Sequence, residues 1–487
     1  MKLPPIRFLK FPLIGFCCLI FLTSWALSSP PGSNSDDEYH LAGIWCAFGE
    51  RTQICSVDEI TGRKSVPRQI QRYSGPQGIF CYAGNEKASA RCIRELSPEV
   101  VMELVPTGRI SEGQYPSGFY KANGFLVGGN INRSILNMRF LQISIAFVVF
   151  SLAIYTAREK ASQILTGLFI GLVPIGLWVI PSTQPASWSI IGLVGLGIYL
   201  VGFTRDRTTV NLLLVGIGSL FSIFLALQSR RDSPLILLIV LLLFLISQYK
   251  TFFRHAIKPF MRALVLVIIP IAAALVHFRF RPLSSILQFR GIVDSNIFEG
   301  ALNTAPNVIL GLIGGSRQLG SPDFAPPLLV LVLLIISLGI YLSARLPVIP
   351  REARLSAFIG GFFLFLMPLR FALENVGDPV SRYIYVVYLT ILVQIAASAK
   401  IVTAKSLNYE VSLNRIIVFS TALAHALALH QTLRRYLTGT NTTRFDLNFG
   451  AEWWWSRGLS PMSVWLIGSI SFTLAMSLTL QISRVRR

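Results

Sequence analysis

Apolar residues recur along this chain in runs of about 15 to 20 separated by short polar stretches, the length a helix needs to cross the hydrocarbon core of a bilayer. The first run, Phe11 to Leu27, follows a basic leader with Lys2, Arg7 and Lys10 and gives way to the turn-forming stretch Ser28 to Ser35. It reads as a retained first helix, with a signal peptide cut at Ala26-x-Ser28 as the alternative. Further runs lie near residues 140–157, 162–180, 187–203, 209–227, 234–248, 262–278, 326–344, 355–373, 383–399, 415–431 and 461–482. The pattern predicts an all-α polytopic membrane protein of about twelve transmembrane helices. Three parts follow: a leader and first helix (1–28), a long extracytoplasmic loop domain (29–138), and a multi-helix domain (139–487) with exported loops near 279–325, 374–382 and 432–460. Loops of such length usually carry function. Within the first, Ser97-Pro98-Glu99 reads as a capped helix start.

Charge tests this alternation. The chain has a net charge of +21, yet only 14% of its residues are charged and its mean hydropathy is +0.59. Soluble domains carry about a quarter charged residues, so a soluble enzyme is excluded. With a cytoplasmic N-terminus, the leader and inner connections hold 20 Lys+Arg against 4 Asp+Glu and the outer segments 24 against 19, the inner excess that topology requires. Both termini are therefore expected in the cytoplasm and the protein in the plasma membrane. The basic residues punctuate span ends instead of forming one solvated face, so no nucleic-acid partner is expected.

Of six cysteines, Cys17 and Cys18 fall inside the first span, and Cys46, Cys55, Cys81 and Cys92 fall in the exported loop. Four cysteines in an oxidising compartment predict two disulfides, with the local pairs Cys46–Cys55 and Cys81–Cys92 preferred among three connectivities. Their spacing lacks a zinc pattern. Directly after the first span comes Asp36-Asp37-Glu38-Tyr39-His40. On a short helix Asp36 and His40 share a face, and neighbouring carboxylates that repel one another raise the pKa of a general base. A solvated helix start, with the acids complementing the dipole, is the equal alternative.

This stretch, with Cys46, Cys55, Cys81-Tyr82 and Cys92 after it, resembles the opening of domain-of-unknown-function family 2142, bacterial and mainly actinobacterial multi-pass membrane proteins akin in architecture to GT-C glycosyltransferases. Aligned on His40, Asp36 matches the family's Asp, Asp37 replaces its Glu, and Glu38 stands where Pro is usual. Tyr115-Pro116-x-x-Phe119-Tyr120 with Arg139, the stretch Gly311 to Pro327, Ser381-Arg382-Tyr383, and Arg435-Tyr436-x-x-Gly439 with Trp453 to Trp455 extend the resemblance along the chain. It implies a GT-C-like glycosyltransferase taking a sugar from a polyprenyl-phosphate donor to an envelope glycan or glycolipid on the outer face. Asp36 or Asp37 would be the base, supported by Glu38 and His40. The leaving phosphate needs fixed cations, and Arg382, Arg139, Arg435, Arg230 and Arg231 are the candidates, Arg382 first. No cofactor is expected; a divalent metal at the acids is not favoured because no second outer carboxylate set completes a shell.

Trp453-Trp454-Trp455 reads as an interfacial belt. His277, His425 and His430 read as packed side chains near span ends, and Arg370 with Glu374 as a helical ion pair. Two other functions stay open: a transporter or flippase of lipid-linked saccharide, which needs charges at mid-membrane depth that are scarce here, and a non-catalytic envelope scaffold or receptor built on the disulfide-bearing loop.

Overall fold

In a computed structural model, residues 5–34, 36–60, 62–70, 82–95, 97–107, 115–205, 208–248, 306–315, 319, 324–373, 381–399, 407–456 and 458–485 are described. The run expected at 262–278, most of the loop expected at 279–325, and Cys81, His277 and Glu374 lie outside these residues.

The described chain is mostly helical. Among the described residues seven helices are long and apolar enough to cross a membrane: α1 (Pro5–Leu27), α6 (Ile131–Thr156), α9 (Ala186–Arg205), α10 (Thr209–Leu227), α12 (Leu328–Arg345), α15 (Leu407–Leu437) and α16 (Pro461–Val485). The expected runs at 355–373, 234–248 and 383–399 are helices as well: α13 (Arg351–Leu373) and the shorter α11 (Ser233–Ser247) and α14 (Tyr385–Ser398). A helix apolar on every side belongs in the interior. Every residue of α14 is buried, and so is the whole apolar window of α9. At 14 residues, α14 rises only about 21 Å against a core of roughly 30 Å. Enclosure by its neighbours removes the need to match the bilayer. Gly192 lets α9 and α10 approach, since a Cβ there would lie 2.4 Å from the Ser222 carbonyl oxygen.

One expected span is broken. The run at 162–180 forms two helices, α7 (Ala161–Gly171) and α8 (Pro174–Val179). Pro174 has no N–H to continue the ladder and starts the second helix instead. The Gly171 carbonyl set loose at the break accepts from Val173 N at 2.8 Å and from the Tyr385 hydroxyl at 2.7 Å.

Loop one, the segment expected as a loop domain at 29–138, folds onto the end of this bundle. It contains α2 (Asp37–Trp45), α3 (Arg91–Glu95), α4 (Pro98–Met102), α5 (Ser117–Gly124) and an antiparallel sheet β1 (Ser56–Val57), β2 (Lys64–Pro67), β3 (Leu104–Pro106), with Val66 opposite Val105. Ser97 caps α4 through its hydroxyl, and Pro98 is its first residue, as the sequence predicts. Cys46 and Cys55 form a disulfide; Cys92 is disulfide-bonded too, and Cys17 and Cys18 are free thiols.

The chain leaving α1 is held carbonyl by carbonyl. Arg139 of α6, 1% exposed, donates to Ala26 O at 2.6 Å, Ser29 O at 2.7 Å and Pro30 O at 3.0 Å. Trp455 Nε1 takes Leu27 O at 2.8 Å, and the hydroxyls of Tyr82 and Tyr436 take Pro31 O at 2.7 Å and Ser33 O at 3.4 Å. The tryptophan belt is therefore corrected: Trp453 and Trp455 are buried and serve packing and capping, while Trp454 donates to Leu459 O. Arg435, fully buried, donates to the carbonyls of Ala88 and Tyr82 and so fastens the end of α15 to loop one.

Leaving buried carbonyls unpaired is costly. Arg139→Met should lower stability by about 3 kcal/mol or more. Thermal unfolding of the detergent-solubilised protein measures this, and an unchanged midpoint would contradict the clamp.

Candidate functional site

Segments that the apolar pattern assigns to one side of the membrane meet at one end of the bundle. Residues 33–40, 115–120, 183–184, 228–232, 381–383 and 435–455 are joined by side-chain contacts there. At the other end Lys160 Nζ donates to Ala399 O at 2.8 Å, Ser162 Oγ to Thr479 O at 3.1 Å and Gln248 Nε2 to Ser398 Oγ at 3.4 Å. Each of these pairs also joins segments expected on one side.

The two aspartates that open α2 have different surroundings. Asp36 precedes the helix with φ 61° in the left-handed region, and its side chain makes no capping hydrogen bond. Such a conformation in a residue other than glycine stores strain of about 1–3 kcal/mol and persists only where its surroundings enforce it. Its Oδ2 accepts instead from Arg382 Nη2 at 2.7 Å, with the Asp36 side chain 30% exposed and that of Arg382 6%. Asp37 is 0% exposed. Its Oδ2 accepts from Asn34 N at 3.0 Å and Asn34 Nδ2 at 3.2 Å, and its Oδ1 from Thr183 Oγ1 at 3.1 Å. Burial pushes the Asp37 carboxyl up to about 6 against the lowering pull of Asn34, Arg139 and Thr183. The expected raised carboxylate is present, but its cause is corrected from repulsion within the acidic run to burial.

Around the ion pair stand further cations and aromatic rings. Arg382 Nη1 donates to Gln184 Oε1 at 3.3 Å and Nη2 to the Tyr383 hydroxyl at 3.3 Å. Burial works against its charge, but Tyr383 and Asp36 outweigh that and raise its pKa. Arg230 lies 4.1 Å from the Tyr383 ring centroid and forms a two-pronged ion pair with Asp232 at 2.8 and 2.9 Å. On the other side His40 Nδ1 lies 2.9 Å from the Tyr120 hydroxyl, its ring edge-on to Tyr39 and Tyr115. Pro116, in an extended conformation, immediately precedes α5, on which Phe119 and Tyr120 are buried.

Of the expected site residues, Asp36, Arg382, Arg230, His40 and the Tyr115 motif come together. Asp37 lies behind them as a buried support, and Glu38 is half-buried on α2. Arg139 and Arg435, expected at the phosphate, are instead occupied by main-chain carbonyls, as described above. Arg231 follows Arg230 in the same turn. Gln184 and Asp232 were not anticipated; the available signals were a polar Ser182-Thr183-Gln184 turn between two apolar runs and an acid next to two arginines. Among the described residues no cluster of three His, Cys, Asp or Glu side chains suits a metal ion.

Because the folded-state pKa of Asp37 is raised, its contribution favours the fold below the unfolded value of 3.8 and is lost as pH climbs through about 6. Wild type should lose about 3 kcal/mol of stability across that window relative to Asp37→Asn. Thermal melts between pH 4 and 7 read the difference, and parallel pH curves for the two proteins would refute it.

No curated protein matches the chain, and no solved structure does. A model of the family described as a predicted membrane protein (DUF2142) matches residues 19–300, more than half of the sequence. That match contains the acidic α2 and the membrane-length helices α6, α9 and α10, and the chain belongs to the DUF2142 family of predicted membrane proteins.

Proposed function

We propose that this protein is a GT-C-like glycosyltransferase of about twelve crossings in the plasma membrane, acting on the extracytoplasmic face. The observation that carries the reading is the partly exposed Asp36 carboxylate 2.7 Å from the Arg382 guanidinium. A base and a phosphate-binding cation side by side are what transfer from a lipid-linked phosphosugar requires. Asp36 takes the proton of the acceptor hydroxyl as its oxygen attacks the anomeric carbon, and the bond from that carbon to the phosphate oxygen breaks. The electron pair leaves with the polyprenyl phosphate. Arg382, with Arg230 beside it, holds the growing phosphate charge, and a guanidinium does so bidentately. Attack opposite the leaving group inverts the anomeric centre. His40 and the tyrosines at 39, 115, 120 and 383 would line the sugar's path, where rings and hydroxyls offer both stacking and hydrogen bonds. The acceptor is an envelope glycan or glycolipid.

Removal of a general base costs about 10²- to 10⁴-fold in rate. In a deletion strain, mass spectrometry should show a missing envelope glycan and accumulation of its polyprenyl-phosphate sugar. Wild type and Asp37→Asn should restore the profile, and Asp36→Asn, expressed at wild-type level, should not. Full restoration by Asp36→Asn, or a deletion that alters no glycan, would remove the transferase reading.

A further inference from the structure

Between α1, α6 and α7 lies a groove of about 730 Å³. Phe11, Phe147, Phe150, Leu165 and Phe169 are among its walls, and the polar residues among the described ones that line it are Ser151, Tyr155 and Arg158. Those three and Pro12 of α1 are exposed, so the groove opens sideways between α1 and α6. Within a bilayer such an apolar opening faces hydrocarbon, and filling it with a chain restores the dispersion contacts that a void forfeits.

One end of the groove is charged. Arg158 lines it, Lys160 follows in the same turn, and Lys10 stands one residue before Phe11. Glu159 is the acid among them, and the Lys160 ammonium donates to Ala399 O at 2.8 Å. These residues are at the inner ends of their helices by the apolar alternation, where a basic fringe attracts anionic headgroups. The α1 helix runs from Lys10 at this end to Leu27 beside the Asp36 segment, a rise of about 25 Å. A phosphate at Arg158 therefore does not compete with one at Arg382.

We infer that this groove binds one anionic phospholipid of the leaflet at the Arg158 end, with an acyl chain between α1, α6 and α7 and the phosphate at Arg158. The site is distinct from the proposed donor site and stands whether or not the protein transfers sugar. Arg158 supplies the preference for an anionic headgroup, and the aromatic walls supply the chain contact.

Native mass spectrometry of the full-length protein, titrated with phosphatidylglycerol and phosphatidylcholine of equal chain length, tests this. Wild type should retain phosphatidylglycerol in preference, and Arg158→Gln should reduce that preference about fivefold. Ser151→Phe, which fills the groove from an exposed position, should carry one lipid fewer of either kind, with an unchanged melting midpoint. An undiminished preference in Arg158→Gln, or an undiminished lipid count in Ser151→Phe, overturns the assignment. One-for-one displacement of phosphatidylglycerol by polyprenyl phosphate also overturns it, by giving the groove to the donor's chain.

Discussion

A helix that ends inside packed protein has carbonyls with no water to satisfy them, and at the end of α1 this constraint shapes everything that follows. The oxygens of Ala26, Leu27, Ser29, Pro30, Pro31 and Ser33 are taken by Arg139, Trp455, Tyr82 and Tyr436. Those donors come from α6, from loop one, from α15 and from the segment before α16. The segment from α1 to α2 is thus a strap tied by four parts of the chain, and each tie is also a tie between those parts. Arg435, which takes the carbonyls of Ala88 and Tyr82, repeats the device between loop one and the last loop, and Ser89 Oγ adds a hydrogen bond to the Glu452 carboxylate there. A cation in this position is strong because its hydrogen bonds are charge-assisted and shielded from water.

The strap has a chemical consequence. It delivers Asp37 into a pocket of Asn34 and Thr183 and leaves Asp36 as the residue that turns outward in a left-handed conformation. Two adjacent carboxylates thereby acquire separate environments without any difference in covalent chemistry. The buried one anchors α2 against the turn between α8 and α9. The outer one reaches across to Arg382, and so α2 and the entrance of α14 are held together by an ion pair whose acidic partner keeps contact with solvent.

The apolar runs made most of the helices legible because lipid and protein interior both select the same side chains, and length alone then separates a span from a loop. The same uniformity hid the break at Pro174, whose cost is met by Tyr385 from a distant helix. The acidic run was visible as a candidate site, but sorting Asp36 from Asp37 depends on Thr183 and Arg382, 146 and 346 residues away in sequence. For Arg139 and Arg435 the sequence offered charge near span ends, a signal shared by a phosphate ligand and by a carbonyl clamp. Which of the two a guanidinium becomes is decided by the chain packed over it. Likewise the tryptophans marked an interface by composition, whereas Trp455 is committed to one carbonyl of α1.

The charges at the Asp36 end are paired, Asp36 with Arg382 and Asp232 with Arg230, and Tyr383 lies against both guanidiniums. An anionic donor of the proposed kind enters such a site only by competing with the carboxylates already there. A phosphate that draws Arg382 to itself loosens its hold on Asp36, and a carboxylate relieved of its cation is a better proton acceptor. The base would then be released by the arrival of the donor. Coupling of this kind needs no moving domain, because the two functions share one guanidinium. In the proposed exchange the left-handed backbone at Asp36 would lose the ion pair that holds its side chain, so its strain would favour release over re-pairing.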